Sequence, residues 1–147
     1  MDSLTIRCFR SEDRDALVRL WTQCGLIATQ NHPLRDIERK LEWDPEGILV
    51  GIVEGALVAS CFFGYEGHRG WINYLAVDAD YQRQGVATRL VEQAEARLRA
   101  LGCPKINLQV RSSNEGVIEF YRKLGYAVDS VVSLGKRLEV DEPWTGC

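Results

Sequence analysis

Between residues 48 and 77 the chain carries three apolar, β-branched runs separated by turn chemistry, and this arrangement constrains the fold more than any other feature. Residues 48–53 (ILVGIV) lead into Glu54-Gly55, a two-residue hairpin signal, and residues 56–65 form the return strand. Residues 66–70 (EGHRG) make a second turn, and residues 71–77 (WINYLAV) complete a meander. The period then changes. Val86, Leu90, Ala94, Leu98 and Leu101 mark a long amphipathic helix that Gly102 stops, with Pro104 just beyond. Residues 105–110 read as a strand, residues 114–124 as a helix closed by Gly125, and residues 126–138 contain the last strand.

Ahead of the meander, residues 4–10 read as a strand and Ser11 as an N-cap with Glu12 and Asp13 in the first turn. Leu17, Leu20, Trp21 and Cys24 then recur at helical spacing up to Gly25. Residues 26–33 are a polar loop, Leu34, Ile37 and Leu41 place a short helix over residues 34–43, and residues 44–47 are a turn. The order β-α-α-β-β-β-α-β-α-β predicts one α/β (α+β) domain with a mixed sheet and helices on its faces. At 147 residues the whole chain is that one domain, with a core of about residues 4–138 and a polar tail, 139–147, expected to be loose.

Composition narrows the function. A hydrophobic fraction of 46% with 27% charged residues is that of a globular protein and rules out overall disorder. Eighteen Lys and Arg against 21 Asp and Glu leave a net charge of −3, which argues against general nucleic-acid affinity. No apolar run approaches the ~20 residues of a membrane span. The opening residues carry neither a basic leader nor an apolar signal segment, so a cytoplasmic location is expected. Five cysteines at wide spacing (Cys8, Cys24, Cys61, Cys103 and Cys147) suit neither a metal site nor a disulfide framework and read as small apolar residues.

The stretch AVDADYQRQGVAT (residues 76–88) carries the most chemistry. A strand ends at Val77, a short loop follows, and a helix begins near Gly85. A glycine there permits a tight turn and close ligand approach. The free N–H groups of Arg83 to Thr88 and the positive end of the helix then converge on one point, an anion site suited to a pyrophosphate. Neither a Walker lysine pattern nor a full GxGxxG is present, which weakens nucleotide-triphosphate and dinucleotide readings.

Gln82-Arg83-Gln84-Gly85-Val86-Ala87 resembles the Q/R-x-x-G-x-G/A signature of the GNAT superfamily of acyl-CoA-dependent N-acyltransferases. Leu75-Ala76-Val77-Asp78 before it, and Asn114, Phe120-Tyr121 and Leu124-Gly125-Tyr126 after it, match that superfamily's other landmarks in order, so the resemblance spans residues 4–138. Asp36-Ile37-Glu38-Arg39-Lys40, Gly67-His68-Arg69-Gly70 and residues 133–138 (SLGKRL) resemble the small YpeA-like branch, which brings no defined substrate. The resemblance implies a mostly antiparallel sheet splayed between its fourth and fifth strands. It implies acetyl-CoA as acyl donor, with no metal.

On that resemblance the pantetheine arm pairs with backbone groups of Leu75 and Val77, and the pyrophosphate sits on Arg83, Gln84, Gly85, Val86, Ala87 and Thr88. Asn114 corresponds to a position that commonly contacts the cofactor, and helix N-capping explains it equally well. Tyr121 corresponds to the usual general acid, which protonates the leaving thiolate. The usual carboxylate base is missing: Gln109 stands at one such position and residues 71–77 carry no carboxylate. Glu66, His68 and His32 remain as titratable loop residues.

The implied reaction is transfer of an acetyl group to a primary amine by direct attack. The alternative is a non-catalytic acyl-CoA sensor or interaction domain. The acceptor would lie over residues 26–43, where Asn31, His32, Arg35, Asp36, Glu38, Arg39, Lys40 and Trp43 are available. Peptide N-termini, lysine side chains, amino acids and small amines all stay open as acceptors. The β-forming run 128–138 suggests an exposed edge and hence a homodimer.

Overall fold

The computed structural model describes residues 3–28 and 31–146. An interior strand of its sheet, β2 (Ile48–Val53), is buried at every position except Ile52. A strand covered on both faces needs an unbroken apolar run, which ILVGIV supplies. β1 (Leu4–Cys8) pairs antiparallel with one side of β2 and β3 (Ala56–Tyr65) with the other. β4 (Gly70–Val77) is antiparallel to β3, and the two-residue β5 (Ile106–Asn107) runs parallel to β4. The sheet order is β1-β2-β3-β4-β5.

Side chains alternate across this sheet and define two cores. On one face α1 (Arg14–Gln23) and α2 (Pro33–Trp43) bury Leu17, Trp21 and Ile37 against Val50 and Phe62. On the other, α3 (Val86–Ala100) and α4 (Glu115–Lys123) bury Leu90, Ala94, Leu98 and Tyr121 against Leu49, Cys61 and Phe63. The expected mixed, mostly antiparallel sheet with helices on both faces is present.

Several boundaries move for local reasons. β1 stops at Cys8 because the Arg10 N–H turns to the Asp13 carboxylate, at 2.8 Å. Ser11 is not the cap of α1; it opens a 3-10 turn, and the buried Asp13 organises the junction. Asp13 takes two further hydrogen bonds from Arg7, at 2.7 and 3.0 Å. The strand expected over residues 105–110 pairs only at Ile106 and Asn107.

One expectation at the C-terminal end is corrected. No strand forms over residues 126–138; Val128, Val131, Val132, Leu134 and Leu138 stand 71–91% exposed. The segment is tied to its neighbours by side chains, Asp129 to Lys105 and Asn107 and Ser133 to Gln109. With only two paired residues, β5 offers it no ladder to join, so the homodimer expectation has no strand edge to rest on. The tail beyond it touches the α2 region at two points. The Asp141 carboxylate accepts two hydrogen bonds from Arg39, and the Trp144 ring meets His32 edge-on with centroids 5.1 Å apart.

Among the described residues no helix is long and apolar enough to cross a membrane, and no group of three or more His, Cys, Asp or Glu is placed to hold a metal ion. Cys61 is buried and Cys8, Cys24 and Cys103 are partly buried, all as free thiols; Cys147 lies outside the described residues.

Burial alone would raise the Asp13 carboxyl, but the Arg7 and Arg10 hydrogen bonds outweigh it and hold the group below its ordinary value. A depressed carboxylate stabilises the fold above about pH 3.9 and loses that contribution as pH falls through its lowered native value. Asp13→Asn is therefore expected to cost about 2 kcal/mol at pH 7. In urea unfolding, the gap from the parent protein should shrink as the pH is taken into the strongly acid range; a constant gap contradicts the assignment.

Candidate functional site

The loop from β4 to α3 is shaped by its own polar side chains. The Asp78 N–H bonds to the Val58 carbonyl at 2.8 Å, keeping β4 in register with β3 to its last residue. The Asp78 carboxylate then accepts the Asp80 N–H at 2.9 Å and starts a 3-10 turn over Ala79–Tyr81. Gln82 and Gln84 donate side-chain amides to the carbonyls of Val77 and Asp80, at 3.1 and 3.3 Å. Arg83 (φ +62°) and Gly85 (φ +81°) are both left-handed, and together they reverse the chain into α3. The Gly85 carbonyl accepts the Arg89 N–H at 3.1 Å. The N–H groups of Val86, Ala87 and Thr88 precede that first helical bond and have no partner within the helix. Arg83, Gln84 and Gly85 are exposed, while Val86 is buried and anchors the turn. Together these backbone groups form a nest of uncommitted N–H groups, a feature of the kind that suits an anion.

β4 also supplies an open edge beside this nest. It pairs with β5 only through Gly70 and Trp71, and the Gly70 N–H bonds to the Lys105 carbonyl at 2.8 Å. A Cβ on Gly70 would lie 2.7 Å from Cys103 Sγ, so glycine permits this close approach at the base of the wedge. From Ile72 onward the strands part. The Asp78 N–H faces β3, so strand alternation turns the N–H groups of Val77 and Leu75 to the open side. The Val77 carbonyl is already engaged, by Gln82 and by the Cys24 thiol at 3.5 Å. Its N–H is the group left for a ligand.

Tyr121 lies on the α3/α4 face, 6% exposed, between the rings of Phe120 and Tyr126. Its hydroxyl makes no hydrogen bond within the described residues. It borders an open groove of about 1390 Å³, lined also by Trp71, Leu108, Gln109, Ile118 and Tyr126. Burial, with a smaller effect of Cys61, pushes the phenol well above its ordinary pKa and keeps it protonated at neutral pH. Residues 83–88, Leu75 and Val77 are not part of that groove's lining. Asn114 accepts the Val117 N–H at 3.3 Å and caps α4.

The titratable loop residues serve their own turns. Glu66 accepts the N–H groups of His68 and Arg69, at 2.9 and 2.7 Å, in the β3–β4 turn. His32 caps α2 by accepting the Arg35 N–H at 3.4 Å. Gln109 donates its amide to the Ser133 hydroxyl.

A further group was not marked by sequence spacing. Tyr74, in β4, has φ +50° where the β3–β4 register shifts. A non-glycine residue held there costs roughly 1–3 kcal/mol, offset by its fixed partners. The ring stacks on Trp21 at 3.9 Å, and the hydroxyl donates to Asp36 Oδ2 at 2.6 Å. Ser60 braces the pair, accepting Trp21 Nε1–H at 3.0 Å and donating to the Tyr74 carbonyl at 2.9 Å. Burial and the Asp36 hydrogen bond raise the Tyr74 phenol well above its ordinary pKa. Thirty-eight residues separate Tyr74 from Asp36, so only the packing of α2 on β4 reveals the pair.

Comparison with known proteins agrees with this fold. The acetyltransferase (GNAT) family model matches residues 8–126. An acetyltransferase of Sodalis glossinidius is 47% identical over 142 residues, covering 96% of this chain and all of that relative. The solved structure of Ard1 from Thermoplasma volcanium superposes with a TM-score of 0.78 at 25% identity, covering 87% of this chain and 85% of that one. AAC(6')-Iy, solved with a CoA-containing bisubstrate analogue, gives a TM-score of 0.75 at 16% identity, covering 91% and 98%; at that identity it speaks for the fold.

No atom lies within 4 Å of a Cβ built on Gly85, so alanine there meets strain and not crowding. Gly85→Ala is expected to cost about 1 kcal/mol in denaturant unfolding, and Gly85→Asn less, because Asn tolerates left-handed backbone. Equal losses in the two variants contradict a conformational role.

Proposed function

The chain belongs to the acetyltransferase (GNAT) family and is an acyltransferase; on that premise we propose that it moves an acetyl group from acetyl-CoA to a primary amine. The observation that carries the reading is the left-handed turn at Arg83 and Gly85. It presents the first N–H groups of α3 to an anion beside the unpaired edge of β4. Acetyl-CoA supplies the activated acyl thioester. The N–H groups of residues 83–88 are suited to its pyrophosphate, with Arg83 adding positive charge. Leu75 and Val77 offer N–H groups to an extended arm, and such a donor also holds negative charge developing on a carbonyl oxygen.

Tyr121 is assigned as the proton donor to the departing sulfur. Its hydroxyl is protonated, uncommitted and bordered by open space. Cys61 is an unsuitable nucleophile, being buried, with a thiol pushed up to about 12 by burial, which favours direct transfer. Asn114 acts first as the cap of α4, with any cofactor contact secondary. The motif matches at residues 36–40, 67–70 and 133–138 support placement in the YpeA-like branch.

Thermal unfolding with acetyl-CoA tests the reading. At one hundred times its Kd the ligand adds about 2.7 kcal/mol, a rise of several degrees at roughly 2–4 °C per kcal/mol. Tyr121→Phe should keep that rise and lower turnover by about 100-fold on any primary amine the parent accepts. No rise for the folded parent at millimolar acetyl-CoA removes the donor site. Unchanged turnover in the variant removes Tyr121 from the chemistry.

A further inference from the structure

The geometry points to Tyr126, anchored on Glu95, as the positioning residue that sets Tyr121 for proton transfer to the departing sulfur. This rests on the acetyl-transfer reading, in which Tyr121 is the proton donor. A donor must stand within hydrogen-bond reach of the atom it protonates, so the helix that carries it has to be fixed. Packing alone gives α4 little purchase, because along Glu115–Lys123 it buries only Tyr121. Of the two rings that meet Tyr121, Phe120 belongs to the same helix and moves with it. Tyr126 lies past the helix end and has a partner on another element.

The way α4 ends brings Tyr126 to that place. Gly125 is left-handed (φ +96°), and its N–H bonds to the Arg122 carbonyl at 3.0 Å. The Tyr126 N–H bonds back to the Tyr121 carbonyl, also at 3.0 Å. This is the Schellman closure, which sets the residue after the glycine against a side chain in the last turn of the helix. Here both are tyrosines, edge-on with centroids 5.3 Å apart. The Tyr126 hydroxyl then donates to Glu95 Oε2 at 2.8 Å, tying the end of α4 to α3. Burial and the Glu95 hydrogen bond raise the Tyr126 phenol well above its ordinary pKa, so it keeps the proton it donates. A hydrogen bond to an ionised group is roughly twice as strong as a neutral one. Glu95 stands about two turns along α3 from Thr88. One helix thus offers N–H groups to the pyrophosphate at its start and, through Glu95 and Tyr126, holds Tyr121. All three side chains border the same groove.

The role is tested by the kinetics of CoA release with a primary amine, read together with acetyl-CoA affinity. Tyr126→Phe keeps the ring and loses the bond; it should lower kcat about tenfold and leave acetyl-CoA affinity unchanged. Glu95→Ala should do the same, whereas Glu95→Gln keeps an oxygen for the hydroxyl and should retain most of the turnover. In a Tyr121→Phe background, Tyr126→Phe should cost nothing further, because it acts through the residue already removed. Parent-like kcat in Tyr126→Phe overturns the assignment, and so does a tenfold loss repeated in the Tyr121→Phe background. NMR of isotope-labelled tyrosine rings reads the same coupling without turnover. Glu95→Ala should shift the Tyr121 ring signals, and should leave them unmoved when Tyr126 is already Phe. Unmoved Tyr121 signals in Glu95→Ala alone also overturn the assignment. Unchanged turnover in Tyr121→Phe removes the proton donor, and this inference with it. A parent that binds no acetyl-CoA, or acetylates no amine, overturns the acetyl-transfer reading itself.

Discussion

The parting of β4 from β5 after Trp71 is the constraint on which the site depends. Backbone polar groups in a sheet are ordinarily satisfied by the neighbouring strand, and β4 lacks that neighbour beyond its second residue. Gly70 pins the two strands at one end, where a side chain would strike Cys103. At the other end Val77 runs directly into the loop that ends at Gly85. The open edge and the N–H groups at the start of α3 are consequently neighbours along the chain, and a ligand with an amide-bearing arm and a phosphate end matches both.

The sheet divides the chemistry as well as the core. On the α3/α4 face, burial keeps Tyr121 protonated and the groove beside it gives access. On the α1/α2 face, Tyr74 adopts a strained backbone angle that its stack on Trp21 and its bond to Asp36 offset. Two tyrosine hydroxyls thus stand on opposite faces of the sheet, one without a hydrogen-bond partner among the described residues and one bonded to a carboxylate.

Much of this was legible in the sequence because the signals were local. The meander, the long helix after Gly85 and the glycine turn itself follow from hydrophobic period and backbone freedom, and each appears where expected. The end of the chain was misread for the opposite reason. Val128, Val131 and Val132 have strand propensity, but a strand needs a partner, and β5 is too short to be one. Polar residues made the tail look solvated; Asp141 and Trp144 find Arg39 and His32 only once α2 is in place. The Tyr74–Asp36 pair was invisible likewise, since no spacing rule links a strand residue to a helix residue with two whole strands between them.

Mapping backbone amide shifts on adding acetyl-CoA tests the central claim most directly. The account predicts that the largest changes fall on Leu75, Val77 and residues 83–88, with smaller ones at Tyr121. Changes confined to the groove along residues 103–112 and 124–133, with the loop before α3 silent, would contradict it.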